Sequence, residues 1–194
     1  MNGGDAGLPA RTGVWMRTSL ATPRLRLRPF TLDDAEELHG LFADPLTHTI
    51  GSGPFTALSE TERWIRNRMR VQREHGLCWY ALRDLDTDTL IGNCGMLSGP
   101  TGYVEPEIGY LIRRSRQGHG YASEAARAVL SECRSAGIGR VWASIRPRNV
   151  PSRRIAERLG MRIARTDRDD RGPLIFYVVD LAGPTSESTP TSHG

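Results

Sequence analysis

Leucine and arginine alternate through RLRLRPF at 24–30, and a period of two marks a strand with Leu25 and Leu27 on its inner face. The period then lengthens. Thr31, with Asp34 three residues on, opens a helix whose apolar stripe is Ala35, Leu38, Leu41 and Phe42. The stretch 44–55 reads as a long loop. Ser59 with Glu62 repeats the capping pattern and starts a second helix through about residue 74, with Trp64, Ile65 and Met69 turned inward. Three runs of strand length follow at 77–84, 89–97 and 104–112, joined by LDTD and SGPTG, and they predict an antiparallel meander. Pro106 weakens only the start of the third.

From Gly118 the spacing is helical again. Tyr121, Ala122, Ala125, Ala126, Val129, Leu130 and Cys133 form one stripe, opposite Glu124, Arg127, Glu132 and Arg134, and Gly137 ends it. RVWASI (140–145) is a strand, Pro151 sits in the first turn of a short helix closed by Gly160, and MRIART and PLIFYVVDL are the last two strands. The order predicts an α/β chain, an α+β mixed sheet with a strand, glycine loop, helix and strand unit in its middle. Residues 1–19 carry no sustained period and read as a flexible extension, 20–182 as one domain, and the Ser/Thr/Pro-rich 183–194 as a disordered tail.

With 194 residues, 38% of them hydrophobic, the chain suits a single ordinary domain. It has neither a membrane-length apolar run nor the layout of a signal peptide, which sets the expectation of a cytoplasmic protein with no membrane partner. Cys78, Cys94 and Cys133 lack the spacing of a disulfide framework or a zinc site, so free thiols and no metal are expected. The formal net charge is +4, and all 26 basic residues are Arg. Arg binds phosphate in a bidentate fork, but no aromatic-interleaved basic stripe accompanies the excess, so nucleic acid is not the expected partner.

The chemistry concentrates in RRSRQGHGYASEA (113–125), where glycines run into a helix start. Such a junction lets backbone N–H groups close on an anion, most often phosphate. A dinucleotide loop fits poorly, because Ser123 stands where the third Gly or Ala belongs and the segment follows an antiparallel meander. A Walker loop is excluded by the lack of GK[ST].

Gln117-Gly-His-Gly120-Tyr-Ala122 has the form Q-x-x-G-x-A and resembles the pyrophosphate loop of the GNAT N-acetyltransferase superfamily. Glu107-Ile-Gly-Tyr110 before it, and Asn149-Val-Pro-Ser152 and ERLGM after it, stand in the order and at about the spacing of the RimJ/RimL-like branch. The resemblance implies the acyl-CoA N-acyltransferase fold, a central, mostly antiparallel sheet with one splayed parallel strand pair and flanking helices. It implies acetyl-CoA as co-substrate and direct transfer of its acetyl group, in a ternary complex, to a primary amine. By analogy with relatives it also implies a homodimer.

Site residues carry over by position. Gln117, Gly118, His119, Gly120, Tyr121 and Ala122 would wrap the pyrophosphate, and the main chain of Ile108, Tyr110, Leu111 and Ile112 would pair with the pantetheine arm. Asn149 would bind the pantetheine amides, and Arg154, with Arg153, would meet the 3′-phosphate. One or two of Arg113, Arg114 and Arg116 would also reach phosphate. Glu107 is the candidate base, with Glu105 behind it, and Ser152 the candidate donor to the departing thiolate; Pro151 departs from the usual residue there and affects the aim of Ser152. His48, Phe55, Trp64, Trp79 and Tyr103 would wall the acceptor site. An α-amino group loses its proton about 2.4 units more easily than a lysine side chain, roughly 3.3 kcal/mol, which favours a protein or peptide N-terminus or a small amine. The alternative is a non-catalytic, acyl-CoA-binding regulatory domain.

Overall fold

In a computed structural model of the chain, the described residues are 13–47 and 53–181. Strands β1 (Leu20–Ala21) and β2 (Leu25–Pro29) precede helices α1 (Ala35–Phe42) and α2 (Leu58–His75). The meander is β3 (Trp79–Asp84), β4 (Leu90–Gly99) and β5 (Gly102–Ile112); after it come α3 (Tyr121–Ser135), β6 (Arg140–Ile145), α4 (Val150–Arg158), β7 (Arg162–Asp169) and β8 (Gly172–Asp180). All eight strands form one sheet in the order β1-β2-β3-β4-β5-β6-β8-β7. Every pairing is antiparallel except β5 with β6, which is parallel and held at one register point, Glu107 opposite Trp142. This is the mixed sheet with a splayed parallel pair that the resemblance implied.

The core lies on both faces of the sheet. Alternation puts Leu25, Leu27, Tyr80, Cys94, Met96 and Ile108 on the side that packs with Ala125, Val129 and Cys133 of α3. Phe30, Trp79, Ala81 and Leu90 belong to a second cluster with Leu38 and Leu41 of α1 and Ile65 of α2. The three cysteines are free and buried, as their spacing suggested.

Several details differ from the sequence reading. Met16, placed in the extension, is 4% exposed and belongs to the core, and its N–H donates to the Gly76 carbonyl. Arg17 binds the buried Glu132 carboxylate through both its backbone N–H and its Nε, and its carbonyl accepts from Tyr80 Oη. The folded unit therefore starts before residue 20; residues 1–12 and the tail lie outside the described residues. Helix α2 is capped by Glu60, whose carboxylate accepts from the N–H groups of Thr56 and Ala57, while Glu62 pairs with Arg66 one turn on. Strand β5 runs through Pro106, which by alternation from Glu107 turns its missing N–H away from β4, so the ladder to β4 loses no bond there. Among the described residues, no helix is long and apolar enough to cross a membrane.

Candidate active site

Strand β5 organises the site. Arg113 N–H donates to Ile91 C=O and Met96 N–H to Cys78 C=O, so by alternation the main chain of residues 107, 109 and 111 faces β4. The main chain of residues 108, 110 and 112 faces β6. The β5–β6 ladder ends at Glu107 and Trp142, so Tyr110 presents its N–H and C=O to a strand that has moved away. This narrows the predicted pantetheine edge. Leu111 is occupied in the ladder opposite Asn93, and the Ile112 carbonyl accepts from Gln117 Nε2 at 2.9 Å. The open groups centre on Tyr110, with Ile108 at the fork.

Glu107 holds the fork. Its Oε1 accepts from both the N–H (3.0 Å) and the hydroxyl (2.6 Å) of Ser144, capping a β6 amide that the splay leaves without a strand partner. Among the described residues, nothing donates to Oε2 and no cation pairs with the carboxylate. Glu105 is otherwise employed: it accepts from Trp142 Nε1 at 2.8 Å and pairs with Arg140 at 3.4 Å, outside the cleft. The cleft between the two halves of the sheet has a volume of about 940 Å³. Glu107, the β5 residues 108–111, Asn149 and Ser152 line it together with Phe42, Phe55, Trp64 and Trp79.

Asn149 caps α4, its Oδ1 accepting from Ser152 N–H at 3.2 Å, while its side-chain NH₂ has no acceptor among the described residues. Capping and ligand binding are therefore compatible. The Ser152 carbonyl accepts from Tyr110 Oη at 3.3 Å. Burial pushes the Tyr110 phenol up to about 12, so it stays protonated. Arg153 is tied to Tyr177 Oη and the Pro147 carbonyl, and Arg154 is exposed on α4 outside the cleft lining.

Beyond β5 the chain enters the glycine loop. Gly118 and Gly120 have φ of 81° and 84°, the left-handed region that glycine adopts without strain. The N–H groups of residues 118–123 donate to no acceptor among the described residues, and residues 117–120 are exposed. A row of free amides at the start of a 15-residue helix fits a pyrophosphate. Arg24, which the sequence reading passed over, anchors this loop. It donates to the His119 carbonyl at 3.0 Å, pairs with Glu124 at 2.6 Å and lies 4.3 Å over the Tyr121 ring. Burial raises the Glu124 pKa, but hydrogen bonds from Thr22 and Arg24 outweigh it and hold the carboxyl below its usual range. The upstream arginines serve the frame: Arg113 Nε donates to the Leu90 carbonyl, and Arg116 pairs with Asp84 at 3.8 Å.

The acceptor end is only partly as expected. Trp79 lines the cleft, its Nε1 donating to Asn93 Oδ1 at 3.1 Å. Tyr103 does not line it; its ring stacks on His75 with centroids 3.8 Å apart. His48 lies outside the described residues. Arg68 and Asn93, which the sequence reading did not single out, both line the cleft. The only signal for Asn93 was an amide inside the apolar run TLIGNCGML. Among the described residues, no cluster of three or more His, Cys, Asp or Glu could hold a metal ion.

Residues 24–162 match a family model described as an acetyltransferase (GNAT) domain. The chain is 34% identical over 164 residues to the protein YkkB of Bacillus subtilis (strain 168), covering 83% of this chain and 95% of that one. Among solved structures, the acetyltransferase from Agrobacterium tumefaciens str. C58 aligns with a TM-score of 0.72 at 25% identity, covering 88% of this chain and 99% of the other. RimL, a ribosomal L7/L12 α-N-protein acetyltransferase solved with coenzyme A, shares the fold with a TM-score of 0.72 at 18% identity, over 82% of this chain and 95% of its own.

Proposed function

The chain belongs to the acetyltransferase (GNAT) domain family, and from this premise we propose that it moves the acetyl group of acetyl-CoA directly onto a primary amine in a ternary complex. The observation that carries the reading is one strand with two open sides. Toward the loop, β5 leads to the free amides of residues 118–123; within the cleft, it presents Glu107, with Oε2 unengaged, among the same lining residues as Ser152.

Acetyl-CoA supplies an activated thioester, and the chain's residues do the rest. The amides of the glycine loop and the α3 N-terminus hold the pyrophosphate, and Tyr110 N–H and C=O in the splay align the pantetheine arm. Glu107 Oε2 takes the proton that the amine must lose, directly or through a water. Ser152 or the neutral Tyr110 phenol donates to the thiolate. Coenzyme A in RimL, which has the same fold, supports the choice of cofactor. The test is to incubate the purified protein with acetyl-CoA and a panel of amines and peptide N-termini, following thiol release and the acetylated product. Acetyl-CoA binding with amine-dependent thiol release is expected; binding with no release for any amine would favour the non-catalytic, acyl-CoA-binding domain.

A further inference from the structure

Among the described residues lining the cleft, two buried donors, one on α2 and one on β4, lack acceptors. Arg68 Nε and Asn93 Nδ2 are both buried with no hydrogen-bond partner, and Asn93 is 2% exposed. Among the described residues, no carboxylate pairs with Arg68. Its guanidinium lies 4.8 Å over the Trp64 ring and 4.4 Å over the Trp79 ring, in the corner made by two indoles at 89°. Burial without a counter-ion pushes this guanidinium down to about 10. A half-buried cation whose Nε is buried without a partner, beside an orphaned amide, is costly unless something occupies them. Both line the cavity that Glu107 lines.

We propose that Arg68 and Asn93 bind the carboxylate of the acceptor, so that the substrate class is a small amine that also carries a carboxylate, an amino-acid-like zwitterion. This deepens the acetyl-transfer reading above and rests on it. The planar fork of Arg fits a carboxylate in a bidentate manner, and the free Asn93 NH₂ adds a third donor. Among the described residues lining the cleft Glu107 is the only acidic one, and it stands opposite Leu97 where Asn93 stands opposite Leu111, so a proton acceptor for the amine and a cationic corner for the acid are set apart along the strands. The rings of Phe42, Phe55 and Trp79, which line the same cleft, suit the carbon skeleton. Arg146 is not a rival for this role, since Asp169 and the carbonyls of Gly172 and Pro173 already hold it.

The experiment compares free α-, β- and γ-amino acids with their carboxamides, which keep the amine and lose the charge. Turnover with acetyl-CoA and binding by tryptophan fluorescence are read for the wild type, Arg68→Gln and Arg68→Lys. The wild type is expected to prefer an acid over its amide by about tenfold or more, the size of one charge-assisted contact. Arg68→Gln should abolish that preference, Arg68→Lys should keep part of it, and acetyl-CoA affinity should stay the same in both. Equal use and equal binding of acid and amide by the wild type would overturn the proposal, whatever the variants do. So would a preference that survives in Arg68→Gln, or stronger binding of an aminoalkyl phosphate than of every acid. Selective binding of the acid without thiol release would uphold the carboxylate site and overturn the acetyl-transfer reading, which separates the two failures.

Discussion

After β5, the main-chain amides of residues 118–123 have no acceptor among the described residues; on the face of the meander that α1 and α2 cover, Phe42, Trp64, Arg68, Trp79 and Asn93 converge on a cavity from α1, α2, β3 and β4. The first site is made of backbone and the second of side chains. Recognition by backbone needs a particular chain conformation, and that leaves glycines within a few residues of one another. Recognition by side chains needs only that distant residues meet, which the fold arranges and no short motif records.

Substitutions should separate the two sites. The largest effect is expected from Gly120→Val, because a β-branched residue at φ of 84° strains the loop. Acetyl-CoA affinity should fall by at least about 100-fold in calorimetry, with no change in the preference among acceptors. Glu107→Gln should lower kcat by about 100-fold and leave acetyl-CoA affinity intact, since the amide oxygen can still accept from Ser144. Glu107→Ala should show the same loss of rate and also melt earlier, because the Ser144 N–H loses its acceptor at a cost of about 1–2 kcal/mol. Arg24→Ala should weaken acetyl-CoA binding by roughly tenfold, having removed one anchor of the loop while leaving its amides in place.

The smallest effect on either site is expected from Asp34→Asn, which belongs to the frame. Asp34 is buried, pairs with Arg28 at 2.6 Å and with Arg83 at 3.2 Å, and accepts from Thr31 N–H. Burial raises its pKa, but the hydrogen bonds from Arg28 and Thr31 prevail and hold the carboxyl below its ordinary range. A depressed folded pKa contributes stability that is fully present above the unfolded value, about 3.9, and is lost as the pH falls through the folded value. Denaturant titrations should show Asp34→Asn costing about 3 kcal/mol at pH 7, with a shallower loss of stability in acid, while rate and affinity per folded molecule stay unchanged.

The same contrast explains what could be read from the chain alone. Strand and helix periods survive in the sequence because each element has one buried face, as with Leu25 and Leu27 in β2 or Ala125 and Val129 in α3. Gly118, Gly120 and Asn149 were visible for the local reasons that govern turns and caps. The start of the folded unit was missed because Met16 and Arg17 are held by Gly76, Tyr80 and Glu132, contacts between residues far apart in sequence. Arg68 was missed for a related reason. On a polar helix an arginine looks like a solvated charge, and only the packing of Trp64 and Trp79 around it makes it a candidate ligand. Tyr103 shows the converse, an aromatic of suitable type whose ring is taken by His75.

Amide hydrogen exchange with and without acetyl-CoA tests the central claim most directly, because that claim concerns particular N–H groups. Adding acetyl-CoA is expected to protect the amides of residues 118–123 and of Tyr110 in the splay, and Gly120→Val to remove the protection. Saturating acetyl-CoA that leaves those amides exchanging at their free rates, while protecting others, would contradict it.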